Sequence, residues 1–523
     1  MNQRIPARIA FFALALVAGL PAQSVDPGAM IPEDCRVYVE TPDLKRLLAV
    51  LDAEILRAIA TPEAAEARRR LAELSELKTT RAAFAATLTE GRRIILLETP
   101  DTGAAIKRLK EFWPKGATLR AGPFAGICDS TETVDAVAET AGRKAKSVRD
   151  RDGFAAARRT HGGGAGFAFV DLAGTQFFRF GLAKPKDLGA AFFAAHYLAA
   201  AASADSVAMR LDLDGGIKFD LAAPVGKLNA DRAFAAPSAK PCPAPLAPPE
   251  GVALTASVPR DLAAFWAGRE RFMAEDARSG VAEFQNGLSI LLGGLAAEDV
   301  FAGLGPRIDV YVGPPVAQSP APRHALPGFA VVAHVPDANL RTELLLGFQT
   351  TLGIINADAA QNRKPRFLLE TIERDGVSVA SARYLQELLP DQDDDRLQLR
   401  PSAAFIGERM ILGTHPDLVL ALAASAKADQ APNSAFEPGD RLRLDGRAAA
   451  AVLRAATPFL AARSAIEEGG TVEKHAGDLA FLAKLLDLVP TTTASFVHDG
   501  REARLRLDLR APTLVPVRTG ADR

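Results

Sequence analysis

This chain is poor in the residues that most often mark a ligand platform or a cross-linked scaffold. Its 523 residues include only 2 tryptophans, 4 tyrosines, 3 cysteines and 7 histidines. So few flat polar aromatics exclude an aromatic glycan platform, and the 27 phenylalanines belong to a packed core. Cys35, Cys128 and Cys242 allow one disulfide with one thiol left over, so a disulfide-stapled framework is excluded and three pairings stay open. An excess of either charge is missing too. The 62 basic and 63 acidic residues give a formal charge of -1, with no long basic block, which argues against nucleic acid or an anionic membrane surface as partner.

Catalytic signatures are also missing. His161-Gly162-Gly163-Gly164 has the form of an oxyanion-hole loop, but the Gly-x-Ser-x-Gly elbow that such chemistry needs is nowhere in the chain. A glycine-rich turn is the better reading. Ser75-Glu76-Leu77-Lys78 has Ser-x-x-Lys spacing without the partner motifs of penicillin-recognising enzymes, and fits the end of a charged helix. Asp391-Gln392-Asp393-Asp394-Asp395 could gather oxygens around calcium, yet lacks the glycine and distal glutamate of an EF-hand loop and reads as a solvated connector. Asp212, Asp214 and Asp220 surround a hairpin turn, where aspartate needs no metal to explain it. The histidines, His161, His196, His324, His334, His415, His475 and His498, are scattered without zinc-ligand spacing. Trp113 and Trp266 fall in amphipathic helical patterns as core residues. No residue is therefore assigned a catalytic, cofactor-binding or metal-ligating role, and no cofactor is expected. Paired carboxylates for acid–base work remain open, because sequence does not give their separation.

What is present is a globular composition, 48% hydrophobic and 24% charged, on a chain long enough for roughly two to four domains. Arg4 and Arg8 precede the short apolar run Ile9–Leu20, and Ala22-Gln23-Ser24 suits a signal peptidase. Residues 1–24 are read as a signal peptide, and the mature chain as soluble, periplasmic or extracellular, with no transmembrane anchor after cleavage. The apolar stretch 187–204 reads as a buried Ala-rich helix, since His196 at its middle would be costly in lipid.

The stretch Val37–Ile59 sets the pattern for the rest. Val37, Tyr38 and Val39 suit a strand. Thr41 is expected as N-cap with Pro42 at the first helical position, and Leu44, Leu47, Leu48, Leu51, Ile55 and Ile59 share one helical face. A second helix is expected over 62–77, and strands over 83–90 and 92–98. Thr99-Pro100-Asp101 then opens a helix through Trp113, followed by a strand over 119–128 and a helix over 130–140. Asp152-Gly153 and the glycines at 162–164 are read as one loop before the strand at Phe167, and a hairpin with Asp214-Gly215 at its turn closes this section.

After a Pro/Ala-rich stretch the same order returns. Pro259-Arg260-Asp261, Pro336-Asp337 and His415-Pro416-Asp417 each follow a strand and open a helix, and a hairpin through His498-Asp499-Gly500 ends the series. The expectation is a tandem duplication: a first α+β domain over 25–225, a linker over 226–250, a second α+β domain over 251–512 and a flexible tail over 513–523. The fold class is α+β, two mostly antiparallel sheets with amphipathic helices packed on one face.

Pro32-x-Asp34, Val37-Tyr38-Val39 and Pro42-Asp43-Leu44 are the first residues that carry a resemblance, together with Gly407-x-x-Met410-Ile411-Leu412-Gly413-Thr414-x-Pro416-Asp417-Leu418. Through them most of the mature chain resembles large secreted bacterial proteins that carry only a domain-of-unknown-function label. That resemblance implies an envelope or extracellular location and a repeated α+β fold, and no reaction. The functional expectation is a non-enzymatic envelope or extracellular binding or scaffold protein, its partner an envelope protein or polymer. The alternative is a secreted hydrolase of unrecognised type. Exposed edge strands could take a partner peptide.

Overall fold

The computed structural model describes residues 26–46, 79–88, 91–173, 188–224, 244–275, 278–315, 324–385, 395–428, 439–498 and 501–510, with isolated positions between. The expected signal peptide, the helix beyond Arg46, nearly all of the helix over 62–77, Ser75, Lys78, Cys242, Asp391–Asp394, most of the linker and the tail lie outside the described residues. Cα packing divides the chain into two units. The first comprises Met1–Gln176, Ser203–Gly226 and Gly500–Arg523, and the second Phe177–Ala202 and Lys227–Asp499.

Strand β1 (Val37–Thr41) opens the first unit. Thr41 is not the helix cap. Its Oγ1 accepts the Asp43 N–H at 3.3 Å, and Asp43 Oδ1 accepts the Arg46 N–H at 3.0 Å. Proline disfavours helical geometry at the residue before it, so the cap falls two residues later, on the carboxylate. Thr99 and Asp101 repeat this turn, at 3.3 Å to the Asp101 N–H and 2.9 Å from Asp101 Oδ1 to the Ala104 N–H.

Next come β2 (Arg81–Ala86), β3 (Arg93–Glu98), α1 (Thr102–Phe112), β4 (Ala117–Ala121), β5 (Phe124–Cys128) and α2 (Thr131–Ala141). The single strand expected over 119–128 is a hairpin. Gly122 turns it at φ 56°, beside Pro123, which cannot donate to a ladder. Helix α3 (Asp152–His161) occupies what was expected to be loop, because Phe154 anchors it in the core. Strands β6 (Gly166–Asp171), β7 (Ser206–Asp212) and β8 (Ile217–Pro224) complete the series. Their antiparallel pairing gives the order β4-β5-β3-β2-β1-β6-β7-β8.

The core packs Phe154 edge-to-face on Tyr38, Phe167 and Phe169, with ring centroids 5.2, 5.7 and 5.4 Å apart. On the other face of the sheet Val39 and Ala168 meet Val37, Phe84 and Met209. Strand β5 is buried at every position and β6 at all but one, so cover on one face alone, as expected, does not describe this part of the sheet.

The second unit begins with α4 (Leu188–Ser203), β9 (Leu254–Pro259), α5 (Leu262–Phe272), α6 (Arg278–Leu291) and α7 (Ala297–Gly303). Strands β10 (Arg307–Pro315) and β11 (Pro327–His334) precede the long helix α8 (Ala338–Gln361). Four strands follow: β12 (Phe367–Arg374), β13 (Val377–Tyr384), β14 (Ser402–Ile406) and β15 (Arg409–Gly413). The unit ends with α9 (Pro416–Ala428), β16 (Asp440–Asp445), α10 (Gly446–Glu468), α11 (Val472–Leu488) and β17 (Thr491–His498). Its order is β12-β13-β14-β15-β11-β10-β9-β16-β17, antiparallel throughout. Asp261, Asp337 and Asp445 cap α5, α8 and α10 as Asp101 caps α1.

The last strand, β18 (Glu502–Arg510), belongs to the first unit and pairs along β8, with Leu505 opposite Leu221. The class is mixed α+β. Strand pairing is antiparallel within each unit, where mostly antiparallel sheets were expected from the repeated order of elements.

Candidate functional site

Buried charges in both units are committed to one another. In the first, Glu40 accepts from the Tyr38 hydroxyl at 2.6 Å and lies 3.2 Å from Arg81 and 2.8 Å from Arg158. Burial raises the Tyr38 hydroxyl well above its ordinary pKa, with the Glu40 charge adding to the effect, so the phenol stays a donor. In the second, Arg260 grips both oxygens of Asp440 at 2.5 and 2.7 Å, and the Tyr197 hydroxyl of α4 donates to the same carboxylate. Such bidentate pairing is what makes a buried charge tolerable.

Among the described residues, those singled out from sequence do not assemble into one site. His161 ends α3, buried, with its pKa lowered by burial, and Nδ1 has no hydrogen-bond partner. Asp220 and Arg504 act on it, so it stands close to one of the three hairpin aspartates. The Gly162 N–H donates to Arg158 O at 2.8 Å and closes the helix, which spends the first amide that an oxyanion loop would offer. Asp214 pairs with Arg46 at 2.8 Å, and Asp212 with Arg210 at 3.0 Å. Asp395, the described member of the acidic run, accepts the His324 backbone N–H at 3.0 Å and contacts its Nδ1 at 2.6 Å. His334 lies 2.9 Å from Glu408, and His475 Nε2 lies 2.8 Å from Gly469 O. Trp266 is a core residue as expected, stacked on Phe301 at 4.7 Å with its Nε1 donating to Glu298 at 2.9 Å. No group of three or more His, Cys, Asp or Glu side chains placed to hold a metal occurs among the described residues. None of the described helices is long and apolar enough to cross a membrane.

The surface with the most to offer a partner is one that sequence reading missed. Strand β12 pairs with β13 alone among the described residues, from Phe367 opposite Tyr384 to Arg374 opposite Val377, with no register shift. Asp375 and Gly376 turn this hairpin at φ 52° and 68°. Asp-Gly between two β-rich runs was the available signal, and both positive φ values fit a type I′ turn.

The Phe367 backbone shows which groups of β12 face outward. Its N–H donates to Asn356 Oδ1 at 2.7 Å, and its carbonyl accepts from Asn356 Nδ2 at 2.9 Å. The side chain of α8 thus takes both backbone groups on the side away from β13. In an antiparallel ladder this orientation alternates, so the N–H and C=O of Leu369, Thr371 and Glu373 point the same way. The strand carries no lysine and no proline, the usual guards of an exposed edge. Leu368 is 39% exposed and Leu369 47%, one on each side of the ribbon. Glu370, on the same face as Leu368, stays ionised: burial opposes this, but hydrogen bonds from Arg400 at 2.8 Å and Arg383 at 3.1 Å hold its carboxyl below the ordinary range.

No protein-family model matches this chain, and no curated protein matches it. Among solved structures it is similar to crystal form III of TP0453, at 12% identity and a TM-score of 0.26, covering 40% of this chain and 82% of that one. Crystal form I of TP0453 gives 11% identity and a TM-score of 0.25 over 40% and 81%. Likeness at that level carries no argument about this chain.

Proposed function

We propose that this chain is an exported, non-enzymatic binding protein of the cell envelope or extracellular space, which takes an extended segment of a protein partner along the free side of β12. The observation that carries the reading is the run of outward backbone groups at Leu369, Thr371 and Glu373, continued from a position where Asn356 already mimics a pairing strand. Backbone pairing would supply affinity, and Leu368 and Leu369 would select apolar side chains on either side. The buried reactive groups support a non-catalytic role. Burial pushes the Cys35 and Cys128 thiols up to about 12, and it holds His415 down at about 4. At neutral pH such thiols are not nucleophiles.

We also infer that the two units arose by tandem duplication. The order β4-β5-β3-β2-β1-β6-β7 matches β14-β15-β11-β10-β9-β16-β17 strand for strand. Hairpin β12–β13 extends the second series beyond β14, where the first ends at β4. An addition to one copy is a natural place for a function that the other lacks.

The test is Thr371→Pro in residues 25–512. Proline removes one outward N–H and is tolerated on an edge strand. The variant should fold as the wild type does, by circular dichroism and Tm, while an envelope protein retained by the wild type binds about tenfold more weakly or is lost. Equal retention by a folded T371P protein would refute the edge-strand reading. Turnover of a substrate by the same preparation would revive the hydrolase.

A further inference from the structure

The two described cysteines sit far apart in sequence and together in the fold. Cys128 ends β5, opposite Ile94 of β3 and Ala117 of β4. Cys35 precedes β1, in a turn closed by its own N–H on Pro32 O at 3.1 Å. One contact fastens this turn, and another fastens the Cys128 end of β5, to the same end of β3. Asp34 pairs with Arg92 at 2.5 Å, and the Asp129 N–H donates to Arg93 O at 3.1 Å. Both side chains are fully buried in one apolar cluster with Ile94, Val137 and Val148. Cys128 is also among the groups that act electrostatically on Cys35.

From this juxtaposition we propose that Cys35 and Cys128 are joined as a disulfide when the chain folds in an oxidising compartment. The oxidant is an external disulfide, R–S–S–R. One cysteine thiolate attacks it, forms a mixed disulfide and releases R–S⁻. The second thiolate attacks the protein sulfur of that mixed disulfide and releases the other R–S⁻. Both leaving thiolates take up the protons the cysteines lost, so two protein thiols are oxidised while one R–S–S–R becomes two R–SH. Timing follows from burial. Thiolate is the attacking species, and in the folded core both thiols are held up at about 12. The bond therefore forms before the core closes, and afterwards it lies out of reach of soluble reductant.

The proposal rests on export only for the natural source of oxidant, and a glutathione buffer replaces that source in vitro. Residues 25–512 are refolded from the fully reduced state in mixed oxidised and reduced glutathione, alkylated under denaturing conditions without reduction, digested and mapped by mass spectrometry. The expected product is one peptide pair linked through Cys35 and Cys128, two hydrogens lighter than its reduced form, with Cys242 alkylated. Cys242→Ser should leave that product unchanged, and the oxidised protein should melt at a higher temperature than the reduced. Folded reduced protein given the same buffer should oxidise many-fold more slowly. Should refolding fail, the same map is made on protein recovered from the periplasm of an expression host. Separate alkylation of Cys35 and Cys128, or a bond from either to Cys242, would overturn the proposal. Failure of residues 1–24 to export a reporter would sink the export reading and leave a mapped bond standing.

Discussion

His415 offers the sharpest test of how a polar side chain is held in this fold. Its Nδ1 accepts the Asp417 N–H at 3.2 Å, the same turn that Thr41 and Thr99 make with their hydroxyls, and it sets the entry to α9. Nε2 is buried without a hydrogen-bond partner. Burial lowers the pKa from 6.5 to about 4, outweighing the Asp417 carboxylate 3.5 Å away, with Arg400 adding to the lowering. Protonation charges a buried ring and removes the acceptor that makes the turn. The unfolded chain takes up this proton near pH 6.5, the folded chain only near about 4. The stabilisation is therefore complete above the unfolded value and is lost as pH falls through this window. A gap of that size is worth roughly 3 kcal/mol, of which about 2 kcal/mol should go between about pH 7.5 and about pH 5. His415→Asn keeps an acceptor oxygen near the place of Nδ1 and cannot titrate. Urea unfolding of both proteins across this range isolates the imidazole from the carboxylates that titrate beside it. Wild type should lose about 2 kcal/mol more than H415N. Parallel losses would refute the assignment of a neutral, accepting imidazole.

Other perturbations test the pairing, capping and packing within each unit. Asp440→Ala should destabilise the second unit by about 3–5 kcal/mol, because it strands the buried Arg260 guanidinium; the denaturant midpoint reads this, and a loss below about 1 kcal/mol would mean the site admits water. Asp101→Ala should cost about 1 kcal/mol through the lost cap on Ala104, and Thr99→Val less, since Thr99 supports the turn from one step back; equal effects would contradict the observed division of labour. Phe154→Ala should cost about 3–5 kcal/mol and raise amide exchange along α3, and protection unchanged there would show the helix to be locally stable.

The local grammar of this chain is legible in its residues. A branched run, a proline and an aspartate announce most of the strand-to-helix junctions, because capping depends on residues two or three positions away. The hairpins at Gly215 and Gly407 are legible for the same reason, since positive φ selects glycine. Where the fold departs from these local signals, a distant contact overrules them. Asp152-Gly153 looks like a turn, and becomes the first turn of α3 because Phe154 finds Tyr38, Phe167 and Phe169. Arg260 in sequence belongs only to a strand-to-helix junction, until Asp440, brought beside β9 by β16, takes its two terminal nitrogens.

The candidate site shows the division most clearly. Sequence alone determined the mixed α+β class, the positions of most strand-to-helix junctions, and the hairpin turned at Asp214-Gly215. It did not determine that β12 would have one neighbour, that Asn356 would reach back over Phe367, or that β18 would seek β8. A side chain's alternation along a strand specifies which face it occupies, and nothing within the strand specifies which strand comes to lie beside it. That choice belongs to the packed chain, and it decides which backbone groups are left for a partner.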